Sequence, residues 1–191
     1  MAAISIISLK QCRFSSLPVK SLLCNARLLS TGKKHFERKL ITQPIDTLYE
    51  VVSDVDRYKE FVPWCKNSKV VSKSGKSMTA ELEVGFNIFS EKYISKVEVS
   101  APNYVSAEST QTNLFEYLRT EWKFTPANDP NTTWVTFQVD FKFKSAIYND
   151  LSRLFLQEVV TKMVKAFENR CKIVRLEKKQ AASLERKLSS C

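Results

Sequence analysis

The sequence predicts an α+β fold: a curved antiparallel sheet of about six to seven strands wrapped around a long C-terminal helix, with an apolar cavity between them. Three observations carry that reading. Apolar residues recur at every second position in consecutive stretches from Met78 to Phe143, the period of a half-buried strand. Short turns separate these stretches, so neighbouring strands run antiparallel. The chain then ends in a helix-length segment with more apolar positions than one packed face requires. With 191 residues, 43% apolar and 11% aromatic, there is material for one domain with a true core.

His35 to Ile41 reads as a short extended run at a sheet edge, with the single histidine, His35, exposed there. Pro44 suits a helix start, where its missing N–H is no loss. Ile45, Leu48, Tyr49, Val51 and Val52 follow it as an apolar stripe. Ser53 and Asp56 stand at capping-box spacing and open a second short helix that runs to about Phe61 and stops at Pro63. Met78, Ala80, Leu82, Val84 and Phe86 then alternate with polar residues, and Tyr93, Ser95, Val97 and Val99 repeat the pattern. Val105 to Thr110 is a weaker strand after the Pro102-Asn103 turn. Leu118, Thr120, Trp122 and Phe124 form the next strand. After a turn at 126–131, Val135, Phe137, Val139, Phe141 and Phe143 share one face of a long strand.

The final helix spans about Ile147 to Leu176. Its surplus of apolar residues calls for a second apolar environment: a bound lipid, a membrane surface or another subunit. Residues 177–191 read as a charged extension that frays and is dispensable. Strand, two short helices, antiparallel meander and long helix, in that order, is the helix-grip arrangement.

Composition removes several function classes. Three glycines leave no glycine-rich phosphate loop, and one histidine excludes most imidazole catalysis and most metal sites. The longest apolar runs fall short of the roughly 18 residues of a membrane span. The net charge of +10 is unevenly spread. Residues 1–34 hold six basic groups and no acid, whereas the other 157 hold 24 basic and 20 acidic groups, a net of +4. A Ser- and Leu-rich leader with interspersed cations and no acid has the composition of a mitochondrial presequence. Arg27-Leu28-Leu29-Ser30 is similar to a matrix-processing site, which places the mature start near Ser30. Beyond the leader, Cys65, Cys171 and Cys191 are an odd number without a C-x-x-C pair, which argues against disulfides and zinc. No basic stretch is interleaved with aromatics as in an RNA platform, so no nucleic-acid partner is expected.

The stretch Tyr49-Glu50-Val51-Val52-Ser53-Asp54-Val55-Asp56-Arg57-Tyr58-Lys59-Glu60-Phe61-Val62-Pro63-Trp64-Cys65 resembles the opening motif of the START-like coenzyme Q-binding protein family, part of the polyketide cyclase-like helix-grip superfamily. Leu82-Glu83-Val84-Gly85-Phe86, followed by Glu91-Lys92-Tyr93-Ile94-Ser95, resembles its second signature. The resemblance covers about residues 35–176, bounded by the leader (1–34) and the tail (177–191). It implies a non-catalytic domain that binds ubiquinone as its ligand, with no separate cofactor and no metal. The implied setting is the mitochondrion, at the matrix side of the inner membrane, in support of respiration and quinone synthesis. Implied partners are ubiquinone, the inner-membrane surface and respiratory-chain or quinone-biosynthesis complexes. Bacterial proteins with the same motif include ribosome-association toxins, so the alternative is a ribosome- or RNA-associated regulator on this fold.

Alternation nominates the wall of a quinone pocket. Leu82, Val84 and Phe86 point inward from one strand, Trp122 and Phe124 from a second, and Phe137, Val139 and Phe141 from a third. Phe155, Val159 and Met163 would face them from the helix. Burying isoprenoid carbons is worth about 0.8 kcal/mol per CH₂ group, and aromatic faces suit a flat ring. A cavity of roughly 300–1,000 Å³ is overfilled by a long polyprenyl tail. Part of the tail would then remain in the bilayer or lie under a mobile segment of Phe61, Val62, Pro63 and Trp64. Glu91 and Tyr93 share one strand face and are candidates to hydrogen-bond quinone oxygens. Cys65 reads as a small buried hydrophobe rather than a reactive thiol, and Glu81 and Glu83 as solvated residues. A cyclase or dehydratase would need acids and bases inside the cavity, where only Tyr93, Ser95, Thr120 and Tyr117 offer polar groups.

Overall fold

A computed structural model describes residues 32–86, 89–144 and 148–189, and within them the side chains of all but residues 86, 89, 110, 111, 148–157 and 189. Its strands are β1 (Lys33–Ile41), β2 (Cys65–Ser74), β3 (Ser77–Phe86), β4 (Phe89–Ser100), β5 (Tyr104–Gln111), β6 (Phe115–Pro126) and β7 (Thr133–Phe143). Its helices are α1 (Ile45–Ser53), α2 (Tyr58–Phe61) after a 3-10 turn at Val55–Arg57, and α3 (Tyr148–Ser189). The seven strands form one sheet in the order β1-β7-β6-β5-β4-β3-β2, each pair antiparallel. From β1 at one edge, α1 and α2 carry the chain to β2 at the other. The meander then returns strand by strand until β7 pairs with β1.

One face of this sheet is the core. Along β7, Thr133, Val135, Phe137, Val139 and Phe141 are buried while the residues between them are not. The register sets Trp122 opposite Phe137, Phe124 opposite Val135 and Leu118 opposite Phe141, so inward side chains of adjacent strands stack in pairs. Leu48, Val51 and Val52 of α1 are buried against this face. In α3, Val160, Val164, Phe167 and Cys171 are buried at spacings of four, three and four, the single stripe of a packed helix. Ile173 and Leu176 remain exposed, the surplus apolar surface expected of this helix.

Several local expectations change. β2 was not foreseen: its residues Lys66, Asn67, Ser68 and Lys69 are polar, and the strand is irregular where it pairs with β3, so no clean alternation marks it. Ser68 is fully buried but satisfied, donating to the Asp56 carbonyl at 3.0 Å and accepting from the Lys59 N–H at 3.0 Å. Ser53 and Asp56 form no capping box. The Ser53 hydroxyl turns back to the Glu50 carbonyl at 3.2 Å, and the Asp56 carboxylate accepts from the Val70 N–H at 2.6 Å, fastening the 3-10 turn to β2. β1 takes in Lys33 and Lys34, two residues placed in the leader by composition. The helix does not stop near Leu176 but continues to Ser189. His35 is not exposed: it is half-buried with its side chain on the inner face, opposite the buried Val139. The turn at Gly75 uses a φ of 56°, a left-handed conformation suited to glycine.

Two stability outcomes follow from this burial. Phe137→Ala, at 1% exposure, is expected to cost about 3–5 kcal/mol in chemical denaturation. Removing residues 179–191, exposed wherever their side chains are described, is expected to change stability by less than about 0.5 kcal/mol.

Candidate functional site

The inner face divides into a filled half and a wider half. In the filled half, Trp122 lies 4.4 Å from Phe137 and 4.9 Å from Phe167 of α3, centroid to centroid. Phe124 is fully buried beside them. Sheet and helix touch directly here, leaving aromatic rings in the place expected for ligand. Toward the end where β7 stops and α3 begins, the inward apolar residues keep part of their surface. Val84, Leu118, Phe115 and Phe143 from the sheet, and Val159 and Met163 from the helix, are only half-buried.

The predicted wall residues therefore separate into two groups. Trp122, Phe124 and Phe137 belong to the filled half. Leu82, Val84, Val139 and Phe141 reach the wider half, with Met163 packed on the core from α3 and Val159, one turn before it, half-buried. The side chains of Phe86 and Phe155 lie outside the described residues. Two wall residues were not foreseen as such. Phe115 and Phe143 stack at 4.9 Å, each in edge contact with Phe141, at 5.9 and 5.2 Å. The register shift between Phe115 and Tyr117 brings Phe115 onto the face of Leu118, so strict alternation hides it. His35 and Glu37 are likewise inner-face residues, paired with Val139 and Phe137, a placement visible only through the register with β7.

The segment from Phe61 to Trp64 is anchored as well as placed at the rim. Phe61 wedges edge-on against Phe167 at 5.1 Å and Tyr58 at 5.9 Å, with the Arg170 guanidinium 5.7 Å from its ring centre. Val62 packs on the core beside it, and Pro63 is half-buried. Trp64 has a φ of 64°, a left-handed backbone that a bulky residue rarely adopts. Its carbonyl accepts from the Gly85 N–H at 2.8 Å, and Lys162 of α3 lies 5.7 Å from its ring centre. Trp64 thus links the start of β2, the end of β3 and the helix at the mouth of the wider half.

The polar candidates resolve differently. Glu91 is not free to meet a quinone: its Oε1 accepts from the Asn113 N–H and, at 3.2 Å, from the Leu114 N–H, holding the turn between β5 and β6. Tyr93 lies opposite Leu82, and burial, followed by the nearby Cys65, pushes its phenol above the ordinary tyrosine range; it therefore stays neutral. Burial raises the Cys65 thiol too, its Sγ donating to the Asn67 carbonyl at 3.3 Å, so it is no activated thiolate. Cys65 and Cys171 are free. Glu83 is tied to Lys92 at 3.6 Å and to Ser90 at 2.9 Å on the surface. A separate cleft of about 210 Å³ between α1, α2 and α3 is lined by Glu50, Asp54, Arg57, Arg170 and Lys178. Its charged lining suits a polyprenyl chain poorly. Among the described residues no helix is long and apolar enough to cross a membrane.

Comparison with known proteins shows the family and the fold. Residues 41–168 match the family described as polyketide cyclase / dehydrase and lipid transport. The chain is 41% identical to the mitochondrial coenzyme Q-binding protein homolog B of Xenopus laevis, over 71% of this chain and 56% of the relative. It is 36% identical to the mitochondrial coenzyme Q-binding protein of Saccharomyces cerevisiae, over 80% of this chain and 78% of the relative. The ribosome association toxin RatA of Rickettsia prowazekii is 30% identical, over 71% of this chain and 94% of the toxin. A START superfamily protein from Mycobacterium smegmatis shares the fold, with a TM-score of 0.66 at 19% identity, covering 74% of this chain and 98% of that one. The chain spans little more than half the length of the Xenopus relative. A helix-grip sheet with an apolar inner face, matched along two thirds of its length, places the chain in the polyketide cyclase / dehydrase and lipid-transport family, among the coenzyme Q-binding proteins.

Proposed function

We propose that this chain is a non-catalytic carrier of ubiquinone, which holds the quinone between its sheet and α3 and delivers it for quinone synthesis and respiratory electron transport. One observation carries the reading. Beside the buried Leu82, Val139 and Phe141, the inward Val84, Phe115, Leu118, Phe143 and Met163 are apolar or aromatic yet only half-buried, so they offer a flat ring and isoprenoid carbons a surface to cover. The names of the Xenopus and yeast relatives, both coenzyme Q-binding and mitochondrial, point to the same ligand and compartment. The acid-free leader supports import, and the matrix side of the inner membrane is where such a carrier would work. Of the ionisable groups expected to serve a cyclase, Tyr93 is neutral and Tyr117 lies on the outer face, opposite Lys142.

The outer face of β1 supports a peripheral membrane contact. Lys34, Phe36, Arg38 and Leu40 alternate onto it. Phe36 is 59% exposed and Leu40 47%, beside Trp134, whose ring carries the Arg38 guanidinium at 4.7 Å. Cations interleaved with exposed apolar side chains fit an anionic lipid surface. A ribosome-associated role is the second reading, favoured by the toxin relative's 94% coverage. A salt-resistant shift of the protein onto mitochondrial ribosomes would favour it over the carrier.

Solvent extracts of the protein purified from quinone-containing cells, analysed by mass spectrometry, are expected to contain ubiquinone enriched over bulk phospholipid. Lipid of membrane composition without that enrichment would contradict the proposal. Met163→Trp is expected to empty the wider half of quinone while the folded circular-dichroism spectrum persists. Phe36→Ser with Leu40→Ser is expected to reduce co-sedimentation with anionic vesicles by about tenfold, leaving quinone content unchanged.

A further inference from the structure

The inner face of β1 contains two polar groups that the fold does not need. Lys33, His35, Glu37, Lys39 and Ile41 alternate onto it, with His35 opposite Val139 and Glu37 opposite Phe137. That this face turns toward α3 is shown by Lys39, which pairs with Glu168 of the helix at 3.0 Å. His35 Nε2 and Glu37 Oε2 are both shut off from solvent, and neither has a hydrogen-bond partner among the described residues. Two neighbouring cations of the same strand are committed elsewhere. Lys39 is engaged by Glu168, and Arg38 lies on the outer face over Trp134. Leaving a buried acceptor unpaired is unfavourable, most of all on a carboxylate. An apolar residue would cover Phe137 and Val139 equally well, as Ile41 covers its own end of the strand. Unmade bonds of this kind, two residues apart and at the boundary of the filled and wider halves, point to a ligand that makes them.

The two groups differ in what they can accept. A carboxylate takes hydrogen bonds only, so a group that satisfies Glu37 in that form must be a donor. His35 Nε2 donates or accepts according to its tautomer. The ring of an oxidised quinone carries carbonyl and ether oxygens, all acceptors, which can satisfy His35 but not Glu37. Its two-electron reduced form, a hydroquinone, carries phenolic O–H groups. One of these can donate to Glu37 while a neighbouring ring oxygen accepts from His35. We infer that the His35–Glu37 pair reads the head group of the bound lipid and holds the hydroquinone in preference to the quinone. The inference rests on the quinone-carrier reading and assigns no electron transfer to the protein. The carrier would load the reduced form and release it more readily once another reaction has oxidised it.

The test is an anaerobic titration of the full chain with a short-tailed ubiquinone and with the same compound reduced, followed by tryptophan fluorescence. The hydroquinone is expected to bind about tenfold or more tightly than the quinone, the size of one charged hydrogen bond. Glu37→Gln, whose amide both donates and accepts, is expected to bring the two affinities within about threefold, because its N–H can serve a quinone carbonyl and its oxygen a hydroquinone O–H. Glu37→Met is expected to abolish the preference and to raise the melting temperature of the empty protein, because an unpaired buried acceptor is gone. Equal affinities in the unaltered chain, a ratio that Glu37→Gln does not move, or a lower melting temperature for Glu37→Met would each overturn the inference and leave the carrier reading standing. Failure of both redox forms to bind the unaltered chain would instead remove the carrier reading itself.

Discussion

The structure depends on one aromatic junction, at Phe167. From the buried face of α3 this ring meets Trp122 of β6 at 4.9 Å, Phe61 of α2 at 5.1 Å and Tyr58 at 5.2 Å. It thereby joins the sheet, the long helix and the crossover that carries the chain between sheet edges. The Tyr58 hydroxyl, donating to the Val52 carbonyl, extends the junction into α1. Edge-to-face geometry at these distances adds to the apolar burial. Away from this junction, toward the end where β7 stops, the inward Val84, Leu118, Phe115 and Phe143 are only half-buried, and that is where the proposed ligand lies. The filled half is the hinge of the grip and the wider half its jaw.

Much of this was legible from residue order. Alternation in β3, β4, β6 and β7 is regular because one face of each is core, and a period of two survives any packing detail. The stripe Val160, Val164, Phe167 and Cys171 is equally plain in α3. What stayed hidden depends on neighbours rather than on the strand itself. β2 buries Ser68 instead of an aliphatic residue, so its burial is secured by hydrogen bonds that periodicity cannot register. The face occupied by His35 follows from its pairing with Val139 across a gap of about a hundred residues. An edge strand rich in Lys, Arg and Glu gives no internal clue to its inner side.

The candidate site shows the same division. Every described wall residue nominated by alternation does face inward, but alternation cannot tell a ring that meets a ligand from one that meets the helix. Trp122 and Phe137 turn out to be core because Phe167 fills the space above them. Glu91 stands on the nominated strand face, and its carboxylate is taken by two loop amides. Phe115 escaped because a register shift changes its face. The polar pair on β1 escaped because edge strands of this composition are usually solvated on both sides.

The central claim is that the quinone lies in the wider half, between the sheet and the first turns of the packed segment of α3. Methyl-resolved NMR of the protein titrated with a short-tailed ubiquinone tests it directly. Saturable shifts at the methyls of Met163, Val159, Val139 and Leu82, with those of Val135 and Val52 unmoved, would place the ligand there. Shifts confined to Leu184 and Leu188 on the exposed end of α3, or an unchanged spectrum, would contradict it.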